Sequence, residues 1–145
     1  EQVREKQMHK KYLCIVDGKM EKNTGTLMDY LLKNEKTNTS KVVEKNTKNS
    51  KEAILDYEVL KYDEETNLSV LKIDLHTGRH HQIRVQFSSR GCPLYGDHKY
   101  NKKFLNDNNT NIALIAKKLE FYHPTTKELL TFEIDLPKKY PYNLF

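Results

Sequence analysis

Alternating apolar and polar positions recur along the chain and are typical of β-strands with one buried face. The alternation predicts strands at residues 53–62, 68–75 and 128–136. Because the turn sequence DEETN separates the first two, we expect them to form an antiparallel hairpin with a loop of about five residues.

Other apolar segments are shorter or less regular. The run YLCIV at residues 12–16 predicts a buried strand that ends at the turn pair Asp17-Gly18. Residues 26–32 and 112–122 are further apolar segments without a clear period. Lys, Asn, Thr and Ser dominate residues 33–51, which predicts a long exposed loop with room for one short strand; a solvated loop that touches nothing is favoured over one that contacts RNA phosphates.

Helical spacing is found directly after the predicted hairpin. Within residues 79–90, Ile83 and Phe87 stand four positions apart, and Gly91 is a plausible end of the helix. Residues 2–9 are polar and compatible with the last turns of another helix. We therefore expect an α+β domain with a mixed, mainly antiparallel sheet and one or two short helices.

The length of 145 residues fits a single domain, and no apolar run is long enough to cross a membrane. Since the N-terminal residues also lack the apolar stretch of a signal peptide, the sequence indicates a cytoplasmic protein. Cys14 and Cys92 lie far apart without a CxxC pair, so we expect free thiols. The first residue is Glu1, which indicates that the chain begins inside a longer domain.

The distribution of charge says more than the net charge of +5, which is compatible with a nucleic-acid partner but common among proteins. The chain contains 25 Lys and Arg residues but only four arginines, and Arg79, Arg84 and Arg90 fall within one short window. The planar guanidinium suits bidentate contacts with carboxylates and phosphates. Function is therefore expected in this window.

The segment LHTGRHHQIR, residues 75–84, is the centre of that window. It places Arg79, His80, His81 and Arg84 in the first turns of the predicted helix, where each cation costs roughly 0.3 to 1 kcal/mol unless an anion lies opposite. We infer a phosphate, a carboxylate from elsewhere in the fold, or both. Arg79 and Arg84 would point about 140° apart on a helix, so we expect different partners for them.

Two simpler interpretations of this segment remain open. It could be a basic surface helix without a ligand. It could also bind a metal through His76, His80 and His81, although these lack the i, i+4 pair of a helical metal site. A catalytic pair of Cys14 or Cys92 with a histidine has no support, because nothing in the sequence indicates an activated thiol.

The same residues closely resemble a known signature. LHTGRHHQIRVQFSSRGCPLYGDHKY, residues 75–100, is similar to the TGRxHQIR segment and the following G-x-P-hydrophobic-x-G-D-x-x-Y element of the RluA-type RNA pseudouridine synthases. REKQMHKKYLCIVDG at 4–18 and ALIAKKLEFYHPTTKELLTFEIDLP at 113–137 resemble flanking segments of that family. The resemblance covers nearly the whole chain and is weakest at 33–51.

The resemblance implies an isomerase that converts uridine to pseudouridine in structured RNA, ribosomal or transfer RNA, without cofactor or metal. In this family the nucleophile is the Asp of a His-Arg-Leu-Asp motif, which does not occur in the 145 residues. The resemblance therefore implies that residues 1–145 are the C-terminal portion of one catalytic domain, inactive without its N-terminal half. An RNA-binding fragment that never had the nucleophile is the alternative.

The resemblance also assigns roles to individual residues. Arg84 would pair with the missing nucleophilic Asp, and an ion pair of this kind keeps a carboxylate charged. Tyr12 would stack on the flipped target base, an interaction of roughly 1 to 3 kcal/mol, although an ordinary core tyrosine is its simpler interpretation. Leu114 would form an apolar wall of the base pocket, and Asp97 is expected to be structural. The motif and its approach to RNA would be shaped by Arg79, His80, His81 and Gln82.

Overall fold

The computed structural model describes residues 8–122, 129–133 and 137–145. Seven strands form one sheet in the order β3-β2-β4-β5-β1-β6-β7, and all neighbours are antiparallel. The strands are β1 (Met8–Asp17), β2 (Thr24–Asn34), β3 (Thr39–Val43), β4 (Lys51–Asp63), β5 (Leu68–Leu75), β6 (Leu114–Tyr122) and β7 (Leu129–Glu133). One α-helix, α1 (Gln82–Ser88), and two short 3-10 helices, Lys102–Phe104 and Tyr142–Leu144, complete the described elements. This confirms the predicted α+β class.

The β4–β5 hairpin forms where the alternation predicted it, with four residues between its strands. Of the strand predicted at 128–136, the structure describes residues 129–133, which form β7; residues 128 and 134–136 lie outside the described part of the chain. The helical end predicted for residues 2–9 also lies mostly outside it. Met8 and His9 are strand residues, so the prediction is wrong for these two.

The loop predicted at residues 33–51 is largely a hairpin. β2 continues to Asn34, and β3 pairs with it as the edge strand of the sheet. The turn between them is closed by the Asn34 side chain, which accepts a hydrogen bond from the Lys36 N–H at 2.9 Å, and by Asn38 in the left-handed region at φ 52°. Its polar composition is that of an edge strand, which few elements cover.

The helix begins later than its apolar spacing indicated. His81 adopts the left-handed conformation at φ 54° and immediately precedes Gln82, the first helical residue. Arg79 and His80 therefore lie in a turn before the helix, and the expectation that they occupy its first turns is wrong. The helix also ends earlier than predicted, at Ser88 and not at Arg90, and Gly91 with φ 81° lies in the turn that follows.

The sheet separates two hydrophobic clusters. On one face α1 packs through Ile83 and Phe87 onto the central strands, and the Phe87 ring meets Tyr57 edge-on at 5.9 Å. The other face is covered by the C-terminal segment around Tyr142. Cys14 and Cys92 are buried free thiols. Within the described residues, no helix has the length and apolar character needed to cross a membrane.

Candidate active site

A buried ion pair fixes Arg84 on α1. Its Nε and Nη2 donate hydrogen bonds of 2.9 and 2.8 Å to the two carboxylate oxygens of Asp97. The Asp97 side chain is fully buried, whereas that of Arg84 is 21% exposed. This bidentate geometry is the carboxylate contact that the arginine window predicted, and it leaves Nη1 without a hydrogen-bond partner among the described residues.

Asp97 is saturated with donors. Besides Arg84, the backbone N–H groups of Lys99 and Tyr100 bond to its Oδ1 at 2.9 and 3.1 Å. Burial alone would raise the pKa of this carboxyl, but the bonds from Arg84 and the backbone outweigh burial and lower the pKa below its usual range. Because its oxygens are engaged in this way, Asp97 is suited to holding Arg84 and not to attacking a substrate.

The loop that carries Asp97 is shaped by Gly96. Gly96 has φ 79°, and a side chain there would collide with the backbone carbonyl of Asn111. The close approach of the two backbones seats Asp97 below α1. This accounts physically for the Gly-Asp pair of the sequence element.

Tyr100 connects Arg84 with the hairpin of β2 and β3 at the edge of the sheet, called the edge hairpin below. Its ring lies 5.2 Å from the Arg84 guanidinium carbon, within the range of a cation–π contact. Its hydroxyl accepts a hydrogen bond of 2.8 Å from the Ser40 N–H on β3 and lies 2.7 Å from His81 Nδ1. Since the Ser40 N–H can only donate, the hydroxyl proton is free to point to His81, whose Nδ1 then accepts.

His80 makes a second connection to the hairpin. Its Nδ1 lies 2.7 Å from Ser40 Oγ, and its Nε2 lies 3.0 Å from Asn38 Oδ1. The His80 and His81 rings stack with centroids 3.8 Å apart. Burial, followed by nearby cations, lowers the pKa of His80, and the same causes lower the pKa of His81 to about 4. Both imidazoles are therefore neutral at pH 7.

These contacts contradict the expectation that residues 33–51 touch nothing. Ser40 is buried, and Lys99 Nζ donates to the backbone oxygens of Thr37 and Asn38 at 3.3 and 2.9 Å. The hairpin is therefore docked on the signature segment. The docking depends on residues about forty to sixty positions away in sequence, which composition does not report.

The neutral His81 makes stability sensitive to acid. An unfolded histidine titrates near pH 6.5. Between pH 6.5 and about pH 4, His81 is protonated in the unfolded state but neutral in the folded state. The free energy of unfolding therefore falls as the pH falls through this range. From pH 7 to pH 5 we expect His81 to account for roughly 1 to 2 kcal/mol of lost unfolding free energy. Urea unfolding of a His81→Gln variant should show a correspondingly smaller loss; a loss equal to that of the wild type would contradict the assignment.

Arg79 and Gln82 hold the turn before α1. The Arg79 Nε donates to the backbone oxygen of Glu52 at 2.7 Å. Gln82 is buried; its amide oxygen accepts from Thr77 Oγ1 and the Arg79 N–H, and its amide nitrogen donates to the Ile54 oxygen. Gln82 therefore stabilises the conformation of this turn through buried hydrogen bonds.

Tyr12 and Leu114 lie on the same face of the sheet as α1. In the register, Tyr12 pairs with Ala116 and Cys14 with Leu114, so these side chains share one face. Both Tyr12 and Leu114 are partly exposed and pack against the cluster that contains Ile83. Tyr12 and Leu114 therefore pack on the cluster to which α1 contributes Ile83 and Phe87.

The histidines are not gathered at one point. His76 Nε2 contacts Asp56 at 2.8 Å, while His80 and His81 bond to the hairpin and to Tyr100. In the described part of the chain no three His, Cys, Asp or Glu side chains are grouped as metal ligands. What the site offers is a fixed guanidinium with one free edge, able to bind a second carboxylate or a phosphate.

Sequence reasoning missed the partner of Arg84 and the roles of Tyr100 and Ser40. The available signal was the G-D-x-x-Y element, Gly96 to Tyr100, whose Asp and Tyr are the two residues that contact Arg84. Ser40 gave no signal, because it stands within a polar stretch.

Comparison with known proteins identifies the group to which this arrangement belongs. The sequence model of a family described as RNA pseudouridylate synthase matches residues 1–89. An uncharacterized RNA pseudouridine synthase of Aquifex aeolicus is 36% identical over 96% of this chain and 45% of its own length. The ribosomal large subunit pseudouridine synthase D of Buchnera aphidicola is 33% identical over 95% of this chain and 45% of its own. The chain thus spans a little less than half the length of these relatives.

Solved structures agree in fold. Human RNA pseudouridylate synthase domain containing 1 superposes with a TM-score of 0.78 at 24% identity, over 92% of this chain and 58% of that one. Human RNA pseudouridylate synthase domain containing 4 gives a TM-score of 0.73 at 20% identity, over 94% and 61%. By its sequence the chain belongs to the RNA pseudouridylate synthase family, and its fold agrees with that membership.

Proposed function

We propose that residues 1–145 are the C-terminal portion of the catalytic domain of an RNA pseudouridine synthase, and that the whole protein isomerises uridine in structured RNA of the cytoplasm, with ribosomal RNA as the first candidate. The observation that carries the proposal is the hydrogen bonding of the Arg84 guanidinium. Asp97 holds one edge of the guanidinium, and Nη1 has no hydrogen-bond partner among the residues that the structure describes, so a second carboxylate could bind there. A nucleophilic Asp supplied by a segment outside these residues would fit there.

In this mechanism Arg84 keeps the incoming Asp ionised and oriented, because a cation beside a carboxylate lowers its pKa. The bond between the ribose and N1 of the uracil breaks, the base rotates, and a bond to C5 forms. C5 loses a proton and N1 gains one, so product and substrate have the same composition. The reaction therefore needs no oxidant, reductant or group donor.

The detached base must remain in the pocket while it rotates. Tyr12 offers an aromatic face for stacking, and Leu114 lies near it on the neighbouring strand. The target nucleotide would reach them only after being flipped out of its helix or loop. Arg79, His80 and His81 border the approach from the turn before α1.

The test is the activity of the whole protein on RNA. We expect the reading frame upstream of Glu1 to encode a His-Arg-Leu-Asp motif, and the whole protein to convert uridine to pseudouridine in ribosomal RNA, detected by chemical labelling of pseudouridine. Activity should persist in EDTA. RNA binding without conversion would favour the alternative of an RNA-binding protein, and the absence of both would refute the proposal.

A further inference from the structure

A second feature of the α1 face is a cleft of about 400 Å³ between the edge hairpin and the turn before the helix. Its residues include Leu31, Lys33, Glu35, Lys51, Arg79 and His80. The volume lies within the roughly 300 to 1,000 Å³ of sites that hold a ligand. None of the roles argued above for Arg84, Tyr12 and Leu114 uses this cleft.

The strand register places two lysines on the helix side of the sheet. Leu31 packs under α1 against Val85, and it pairs with Lys51 on β4. Paired residues of antiparallel strands share a face, and residues two apart along a strand do as well. Lys33 and Lys51 therefore project from the α1 face beside the turn that carries Arg79.

The charges around the cleft are predominantly positive. Arg79 is oriented by the bond from its Nε to the Glu52 oxygen, and its two terminal nitrogens have no hydrogen-bond partner among the described residues. Lys33 Nζ lies 3.3 Å from Glu35, a carboxylate that is 82% exposed. His80 adds no charge at pH 7, because burial and the nearby cations lower its pKa below the usual value.

We propose that this cleft binds a backbone phosphate of the RNA strand that enters the active site, with Lys33, Lys51 and Arg79 as its contacts. This inference rests on the proposed function and adds a binding surface to it. A guanidinium with free terminal nitrogens and two flexible ammonium groups match the charge and the several acceptor oxygens of a phosphodiester. Contacts of this kind position a strand without reading its sequence.

The decisive comparison uses two lysines of one strand. Lys51 and Lys61 are both exposed on β4. A register irregularity between Val59 and Lys61 pairs Lys61 with Val70, whose side chain packs in the cluster on the face opposite α1. Lys61 therefore lies on that opposite face, away from the cleft. In the whole protein, Lys51→Glu should weaken binding of a substrate RNA about tenfold and lower the slope of log K against log salt by about 0.7 to 0.9. Lys61→Glu makes the same charge change and should alter affinity less than about twofold.

A second pair tests the hairpin in the same way. Lys33 pairs with Ser40 on the helix side, whereas Lys41, exposed on β3, pairs with Leu32 and lies on the opposite face. We expect Lys33→Glu to weaken RNA binding and Lys41→Glu to leave it nearly unchanged. Glu35→Gln should strengthen binding by roughly two- to fivefold, since it releases Lys33 from an exposed ion pair. Because Glu35 is so exposed, this variant should fold normally.

The outcomes separate this inference from the proposed function. Lys51→Glu should raise KM and leave kcat unchanged, because the cleft binds ground state and transition state alike. Equal losses of affinity in Lys51→Glu and Lys61→Glu, in a wild type that forms pseudouridine, would overturn the cleft as a phosphate site and leave the enzyme assignment standing. A wild type that neither binds nor converts RNA would overturn both.

Discussion

Replacing Arg84 with methionine in the whole protein is expected to abolish pseudouridine formation, with kcat lowered at least about 10²-fold and the Kd for RNA little changed. A group that stabilises charge at the reacting centre typically accounts for 10² to 10³ in kcat. The Kd should change little, because the side chain of Arg84 is only 21% exposed and its remaining edge is assigned to the nucleophilic Asp and not to the RNA backbone. Single-turnover conversion and RNA binding, measured on the same preparation, check the prediction.

This substitution alone has a second effect that must be separated from the first. It leaves the fully buried Asp97 carboxylate without its cation, and an unpaired buried charge is strongly destabilising. Loss of activity could then reflect unfolding. The double variant Arg84→Met with Asp97→Asn removes both charges, so that no buried carboxylate is left without a cation.

The double-mutant cycle distinguishes the two roles of Arg84. If the guanidinium serves the nucleophile, the folded double variant remains inactive, while Asp97→Asn alone retains measurable turnover. Recovery of activity in the double variant would mean that Arg84 only neutralises Asp97. Equal losses of RNA affinity and turnover in Arg84→Met would instead identify it as a phosphate contact, and the proposed catalytic role would be lost.

The strands were predictable because alternation is a local signal. In β4 the buried residues Ala53, Leu55 and Tyr57 alternate with Asp56 and Glu58 on the other face, and the turn between β4 and β5 has turn-forming residues. The start of α1 was not predictable in this way. His81 adopts a left-handed conformation, which a histidine rarely does, and the compensating contact with Tyr100 comes from a later loop.

The edge hairpin could not be predicted from amino-acid composition. Residues 33–51 have the composition of an exposed loop, because an edge strand with few apolar contacts needs few apolar residues. What orders the hairpin is a set of polar contacts between Ser40, His80 and Tyr100, whose members are far apart in sequence. Such contacts have no local periodicity, so no pattern within the stretch could reveal them.

The charge argument for Arg84 was right in kind and incomplete in detail. A clustered arginine predicted an anionic partner, and the structure provides Asp97. The G-D-x-x-Y element contains that partner, but the pairing of Asp97 with Arg84 depends on the fold, where Gly96 approaches Asn111 closely. The roles of Tyr12 and Leu114 in base binding came from family resemblance and remain predictions.

Removal of the Asp97 side chain is expected to cause a large loss of stability. Asp97→Ala deletes the acceptor of four hydrogen bonds, two from Arg84 and two from the backbone N–H groups of Lys99 and Tyr100. Breaking a buried pair by removing one partner costs about 3 to 5 kcal/mol. We therefore expect urea unfolding to show a decrease of that size in the unfolding free energy.

The matched control is another acidic residue in an ion pair that differs in exposure. Glu58 lies 3.3 Å from Lys72, with both side chains nearly half exposed, and Glu58→Ala should cost about 1 kcal/mol or less. Asp97→Asn should fall between the two, because its amide oxygen can still accept from the backbone donors. If Asp97→Ala were no more destabilising than Glu58→Ala, the carboxylate could not be what seats Arg84. The guanidinium would then be free to move, and its orientation toward an incoming nucleophile would need another cause.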